Sequence, residues 1–158
     1  MKILIGSDHH GIDARQNLVR LVASLGYEAV DVGPQSSQTP TDYPNIAAEV
    51  ARAVSTDKNV RGILICGTGV GMSIAANKFP GVRAAPISDV FSGELSRRHN
   101  VLNVLCLSAE MLAETTMNEI VVSWLRAEFS GDGSRHERRL NKIAQIEKDQ
   151  IARNLATE

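Results

Sequence analysis

A single thiol, Cys66, ends the apolar run Ile63-Leu64-Ile65 and leads directly into Gly67-Thr68-Gly69-Val70-Gly71. Glycines at this spacing let the backbone turn sharply and aim several N–H groups at one point, a cradle for a phosphate or for an enolate oxygen. The helix read from Met72 to Lys78 adds its positive N-terminal end, which favours the thiolate form of Cys66. One segment therefore offers a base beside an oxyanion site, with nucleophilic attack, proton abstraction and phosphate binding all open to it.

Other chemistry-bearing residues are placed by the order of apolar runs. Asp8 and His9 follow the first run, and Asp42 and Tyr43 follow the polar stretch Gly33–Asp42 after the second. In a parallel α/β sheet the C-terminal ends of all strands share one edge, so these four should gather beside Cys66, Gly67 and Thr68, with the polar stretch as a wall of the site. Taken alone, Asp8 reads equally well as a helix cap and His9 as a solvated turn residue, and His10 reads as a surface residue. His99 and Asn100 lie between a helix and the next strand, at the opposite edge. They are either an inert helix end with Asn100 as C-cap, or they serve the site of a two-fold-related copy. Arg135 and Arg139, four apart with His136 and Arg138 adjacent, share one helix face and make a fork for a dianion, the plainer alternative being a solvated basic face.

The elements that must hold these residues alternate along the chain. Strands read over Lys2–Ser7, Glu28–Val32, Gly62–Cys66, Val82–Ser88 and Val101–Leu107, and helices over Ile12–Leu25, Tyr43–Val54, Met72–Lys78, Val90–Arg97 and Ala109–Phe129. Five β-α units predict a three-layer α/β/α Rossmann-like fold, a five-stranded parallel sheet with helices on both faces and a flavodoxin-like or related strand order. Ser130-Gly131-Asp132-Gly133-Ser134 breaks the last helix. A charged segment follows with Leu140, Ile143, Ile146 and Ile151 near helical spacing, so the chain reads as a domain over 1–130 and a helical tail over 131–158 that packs either on its own subunit or, the favoured reading, on a partner.

Composition excludes several classes. With 158 residues, 43% of them hydrophobic, and a formal net charge of −1, the chain reads as one soluble domain without the basic surface that nucleic acid requires. The first apolar run is too short for a signal peptide and no run approaches a membrane span, which points to the cytoplasm. Cys66 and Cys106 have no metal-ligand spacing and suit a reducing compartment. The glycine segment lacks both the G-x-G-x-x-G spacing and the Walker Lys-Ser/Thr, which counts against a nucleotide-binding module, the reading from another functional class.

Ser7-Asp8-His9, Thr41-Asp42-Tyr43-Pro44, Ile65 to Gly71, Ala75-Ala76-Asn77-Lys78, Ser96-Arg97-Arg98-His99-Asn100 and Arg135-His136 together resemble the type B ribose-5-phosphate isomerases. That family includes the galactose-6-phosphate isomerase subunits, and the similarity runs from Lys2 to about Ile146. The resemblance implies a metal-free and cofactor-free aldose–ketose isomerase acting on a sugar phosphate through an enediol, as a homodimer or tetramer with sites shared between subunits. It makes Cys66 the base, with Thr68 orienting the reacting oxygens and the amides from Gly67 through Gly69 and Val70 to Gly71 holding the enediolate. By the same resemblance His99 opens the furanose ring, and Asp8, His9 and Asn100 contact the substrate. Asp42 and Tyr43 line the ring-opening end, and Arg135 and Arg139 clamp the phosphate from the neighbouring subunit. Some members use a Glu just after the glycine segment, where this chain has Met72. Many carry an Arg eleven residues after the His of the His-Asn pair, where this chain has Glu110. An acid facing a phosphate would repel it unless it points away or pairs with a clamp arginine, which leaves open another sugar phosphate, a tetrose or hexose, or a free aldose as substrate.

Overall fold

The computed structural model describes residues 1–36, 41–131 and 133–156. They form strands β1 (Lys2–Ser7), β2 (Glu28–Val32), β3 (Val60–Cys66), β4 (Ala84–Pro86) and β5 (Val104–Ser108). The helices are α1 (Ile12–Ser24), α2 (Tyr43–Thr56), α3 (Val70–Ala76), α4 (Val90–Asn100), α5 (Glu114–Arg126) and α6 (Arg135–Leu155). All strand pairs are parallel, in the order β2-β1-β3-β5-β4.

Alternation along the central strands sorts two cores. Ile3, Ile5, Ile63, Ile65, Leu105 and Leu107 face α1 and α5, where Leu18, Val22, Ile120 and Trp124 meet them. Leu4, Leu64, Cys66, Val104 and Cys106 face α2 and α3, against Ile46, Val50, Met72 and Ala76. The side-chain period of two thus puts the Cys66 thiol on the α2/α3 face. Met72, which occupies the position where some resembling proteins carry a Glu, is fully buried there.

The last two strands are exchanged relative to a flavodoxin-like order. Their residues explain it: every residue of β5 is buried, so it needs neighbours on both sides, whereas β4 has three residues and ends at Pro86, as suits an edge. Several boundaries also differ from the sequence reading. Helix α3 starts at Val70, because Gly69 adopts φ 76° and turns the chain into it. Helix α4 runs on through His99 and Asn100 and is capped by Val101 in the left-handed region, so Asn100 is not the C-cap. Helix α5 begins only at Glu114, freeing Ala109–Ala113 as a turn over the glycine segment. The polar stretch after β2 falls partly at residues 37–40, outside the described residues. No helix among the described residues is long and apolar enough to cross a membrane.

Candidate active site

Cys66 closes β3 with its side chain 6% exposed, and the Gly69 amide donates to its sulfur at 3.2 Å. A thiolate accepts such a bond better than a thiol. Gly69 is held to glycine twice over, by its positive φ and because a Cβ there would lie 3.2–3.3 Å from the Leu107 backbone. The Val70 amide turns to Thr68 Oγ1 at 3.4 Å. That leaves the amides of Gly67, Thr68 and Gly71 without an acceptor among the described residues, and these three are placed to receive a substrate oxygen. Tyr43, 39% exposed at the start of α2, lies over Gly71, where an added methyl would meet its ring at 2.7 Å. Asp42 precedes it as the exposed N-cap residue of α2, with no side-chain capping bond. Burial pushes the Cys106 thiol well above the ordinary range, with the nearby Cys66 adding to it, so of the two cysteines Cys66 is the one available for chemistry.

The loop after β1 brings Asp8 and His9 to the same edge. Asp8 is buried and does not cap α1; its Oδ1 accepts from the His10 amide at 2.9 Å. His9 Nδ1 accepts from the Thr41 amide at 3.3 Å, which ties this loop to the start of the α2 segment. His10 is exposed, as read from the sequence, and also lies beside two acids. Its Nδ1 lies 3.6 Å from Asp8 Oδ2, and its Nε2 lies 4.0 Å from Glu110 Oε1. Glu110 does not point away from the glycine segment: its carboxylate lies against Gly67, where a Cβ would meet Oε1 at 2.8 Å. Asp8, His9 and His10 present metal-ligating atoms within 4.8 Å of one another. A zinc ion with bonds near 2.1 Å draws its donors to about 3.4 Å apart, and His9 Nδ1 is already engaged, so the group is not a preformed metal centre.

Two residues that the motifs did not single out build the frame beneath this edge. Arg15 is completely buried on α1. Its Nη1 donates to Ser7 Oγ at 2.9 Å, its Nη2 to the Pro34 carbonyl at 2.7 Å, and its Nε sits 2.6 Å from Asp31 Oδ1 in an ionic contact off the N–H axis. One guanidinium thus joins the ends of β1 and β2 and the loop that follows. Its signal in the sequence is a charge on the apolar stripe Ile12, Arg15, Leu18, Val22. Ser108, opposite Cys66 in the β3–β5 register, donates to the Gly67 carbonyl at 2.5 Å and accepts from the Met111 amide. The Ala109 and Glu110 amides bind the Cys66 and Gly67 carbonyls, so β5 grips the segment from the side.

His99, Asn100, Arg135 and Arg139 lie elsewhere. Val104, after α4, pairs with Gly62, four residues before Cys66, a separation of about 13 Å of strand, and α4 ends further back. The buried Arg97 donates to the Leu102 carbonyl at 2.8 Å and fixes the turn after α4. Its pKa is pushed down to about 10 by burial and then by Arg61 and Arg83. His99 stacks on His136 of α6, with ring centroids 4.1 Å apart and planes 12° apart. Exposed Arg135 and Arg139 flank that ring in sequence. Among the described residues α6 buries none of its side chains, and beside it a cavity of about 610 Å³ is lined by residues including His99, Asn100, Leu102 and Ile143. The protomer therefore gathers the first set of predicted residues at one edge and the second set at the other, without joining them.

Comparison with known proteins matches this arrangement over nearly the whole chain. Residues 3–143 fit the model of the Ribose/Galactose Isomerase family. The chain is 44% identical over 146 residues to ribose-5-phosphate isomerase B of Escherichia coli, covering 92% of this chain and 96% of that one. It is 37% identical to D-erythrulose-4-phosphate isomerase of Pectobacterium atrosepticum, over 85% of this chain and 88% of that one. Among solved structures, ribose-5-phosphate isomerase B from Mycoplasma genitalium with bound ribulose-5-phosphate superposes with a TM-score of 0.89 at 39% identity, covering 93% of this chain and 96% of that one. With the strand order, the thiol at the end of β3 and the matched span agreeing, the chain belongs to the ribose/galactose isomerase family.

Proposed function

We propose that the protein is an aldose–ketose isomerase that interconverts ribose 5-phosphate and ribulose 5-phosphate through an enediol. The observation that carries this reading is the Cys66 sulfur, held by the Gly69 amide beside the unengaged amides of Gly67, Thr68 and Gly71. With the open-chain aldose across this segment, the Cys66 thiolate takes the proton from C2. The electron pair moves toward O1, where the free amides hold the growing charge, each worth about 3 kcal/mol to the transition state. The C2 hydroxyl proton passes by way of Thr68 Oγ1 to O1, and the thiol returns its proton to C1. Asp8 and His9 hold sugar hydroxyls at the same edge, and Asp42 and Tyr43 bound it.

Ring opening and phosphate binding fall to a second copy of the chain, in a homodimer or a pair of dimers. His99 protonates the furanose oxygen as the bond from that oxygen to C1 breaks and the C1 hydroxyl proton leaves to solvent, Asn100 contacts the sugar, and Arg135 and Arg139 take the phosphate. Support comes from the division of the residues between two edges and from apolar surface suited to closing the gap. Val70 and Ile74 are 47% and 57% exposed beside Cys66, and Ile143, Ile146, Ile151 and Leu155 are exposed along α6. The tail 131–158 thus embraces the partner of the 1–130 unit. A thiol as base, with both cysteines free, suits a reducing compartment, and the cytoplasm is the location that fits this reading.

Glu110 against Gly67 and the similarity to a four-carbon sugar-phosphate isomerase favour a second reading, in which a tetrose phosphate is the better substrate. Turnover on ribose 5-phosphate, erythrose 4-phosphate, allose 6-phosphate and free allose in deuterated water, following ketose formation and deuterium entry, separates the two. Preference for ribose 5-phosphate supports the first reading, and preference for the tetrose supports the second. Turnover of none of the sugars contradicts both.

A further inference from the structure

His136 has no part in the steps above, yet its ring is the neighbour that fixes His99. The imidazoles lie 12° from parallel with centroids 4.1 Å apart, one from the last turn of α4 and the other from the first turn of α6. The start of α6 is itself held. Ser134 Oγ accepts from the His136 amide at 3.0 Å, and buried Gly131 is packed so closely that a Cβ there would meet His136 Cβ at 2.9 Å. Among the described residues, the charged groups acting on His136 are His99 from α4 and Arg135 and Arg139 from its own helix, all positive or able to become so. Burial first, and then these three, hold His136 below the ordinary histidine range.

We propose that His136 is a positioning residue for His99, and that a dianion seated on Arg135 and Arg139 lets the stacked pair take up the proton that His99 donates. This rests on the reading of His99 as the ring-opening acid and of the two arginines as the phosphate clamp. Two imidazoles in van der Waals contact beside two guanidiniums resist a further positive charge, and a phosphate that neutralises the guanidiniums lifts that resistance. The proton comes from solvent, rests on a ring nitrogen of the pair and passes to the furanose oxygen as its bond to C1 breaks and the C1 hydroxyl gives up its proton to solvent, so a phosphorylated sugar primes its own ring opening and a neutral sugar does not.

Histidine NMR titration of the intact protein, with inorganic phosphate as probe and no sugar present, tests the coupling. Saturating phosphate should raise the His136 midpoint by about one pH unit, and the Arg135→Ala/Arg139→Ala protein should lose that shift. A midpoint unmoved by phosphate overturns the coupling. For positioning, His136→Ala should lower kcat on the aldose at least about tenfold with KM little changed, while His136→Phe, which keeps the stack, should stay within about threefold of the parent. Equal loss in both variants, or none in either, overturns it. Undiminished turnover in His99→Asn would strike the underlying role of His99, on which the sugar-free titration does not depend.

Discussion

The edge that carries Cys66 and the edge that carries His99 are built in opposite ways. Around Cys66 the backbone is gripped from every side: Gly69 abuts the Leu107 backbone, Ser108 holds the Gly67 carbonyl, and Arg15 ties β1 to β2 from below. At the other edge His99 and Arg135 ride on the ends of two helices, and α6 projects without burying a side chain among the described residues. The first is a fixed edge whose amides are set before substrate arrives. The second is presented outward. A preformed oxyanion site needs rigidity because its donors must not reorganise during the reaction, whereas groups that serve another subunit have to leave their own surface. The difference in construction is the one that the proposed division of chemistry between subunits requires.

Separating the two edges by mutation sharpens this contrast. The largest effect should come from Cys66→Ala, which removes the base and lowers both isomerisation and C2 proton exchange on the order of 10²–10⁴-fold, measured by deuterium incorporation. Retained exchange would reject the thiol as base. His99→Asn should slow the aldose direction about a hundredfold but leave proton exchange from ribulose 5-phosphate nearly intact, because that ketose has no free 5-hydroxyl with which to close a furanose. Equal loss from both substrates would place His99 in proton transfer rather than ring opening. Below these comes Arg15→Ala. Removing the buried guanidinium, with its bonds to Ser7 and Pro34 and its contact with the one-third-exposed Asp31, should cost about 2–3 kcal/mol of stability, read as a drop in urea midpoint, and the surviving protein should show raised KM. Smallest is Glu110→Arg. Replacing repulsion by attraction at a partly exposed position should lower KM for phosphorylated sugars by about threefold to tenfold and leave free allose unaffected. An equal change for both kinds of sugar would mean that Glu110 does not face the phosphate.

The same contrast explains what could be read from sequence. The β-α alternation, all five strands and the thiol–glycine segment were legible because they are local patterns, and β1 and β2 carry the boundaries that their apolar runs announce. Strand order was not, since the exchange of β4 and β5 depends on which strand finds cover on both sides. Asp8 taken alone reads equally well as a cap or as a site residue because its type and position allow both, and the structure turns its buried carboxylate to the His10 amide. Glu110 stood out only as an unexpected residue type; its approach to Gly67 depends on α5 starting at Glu114, which helical periodicity extended too far back. Arg15 was visible as a charge on an apolar stripe, although its partners Ser7, Pro34 and Asp31 lie far enough apart in sequence that only the folded sheet unites them.

Co-expression of Cys66→Ala chains with His99→Asn chains tests the division of the site most directly. Each parent alone should be nearly inactive on ribose 5-phosphate. In a random mixture half the dimers are mixed, and each carries one site with intact Cys66 from one chain and intact His99 from the other, so activity should return to about a quarter of the unmutated level. A mixture no more active than its parents would mean that each chain supplies both residues to its own site, and would contradict the shared arrangement.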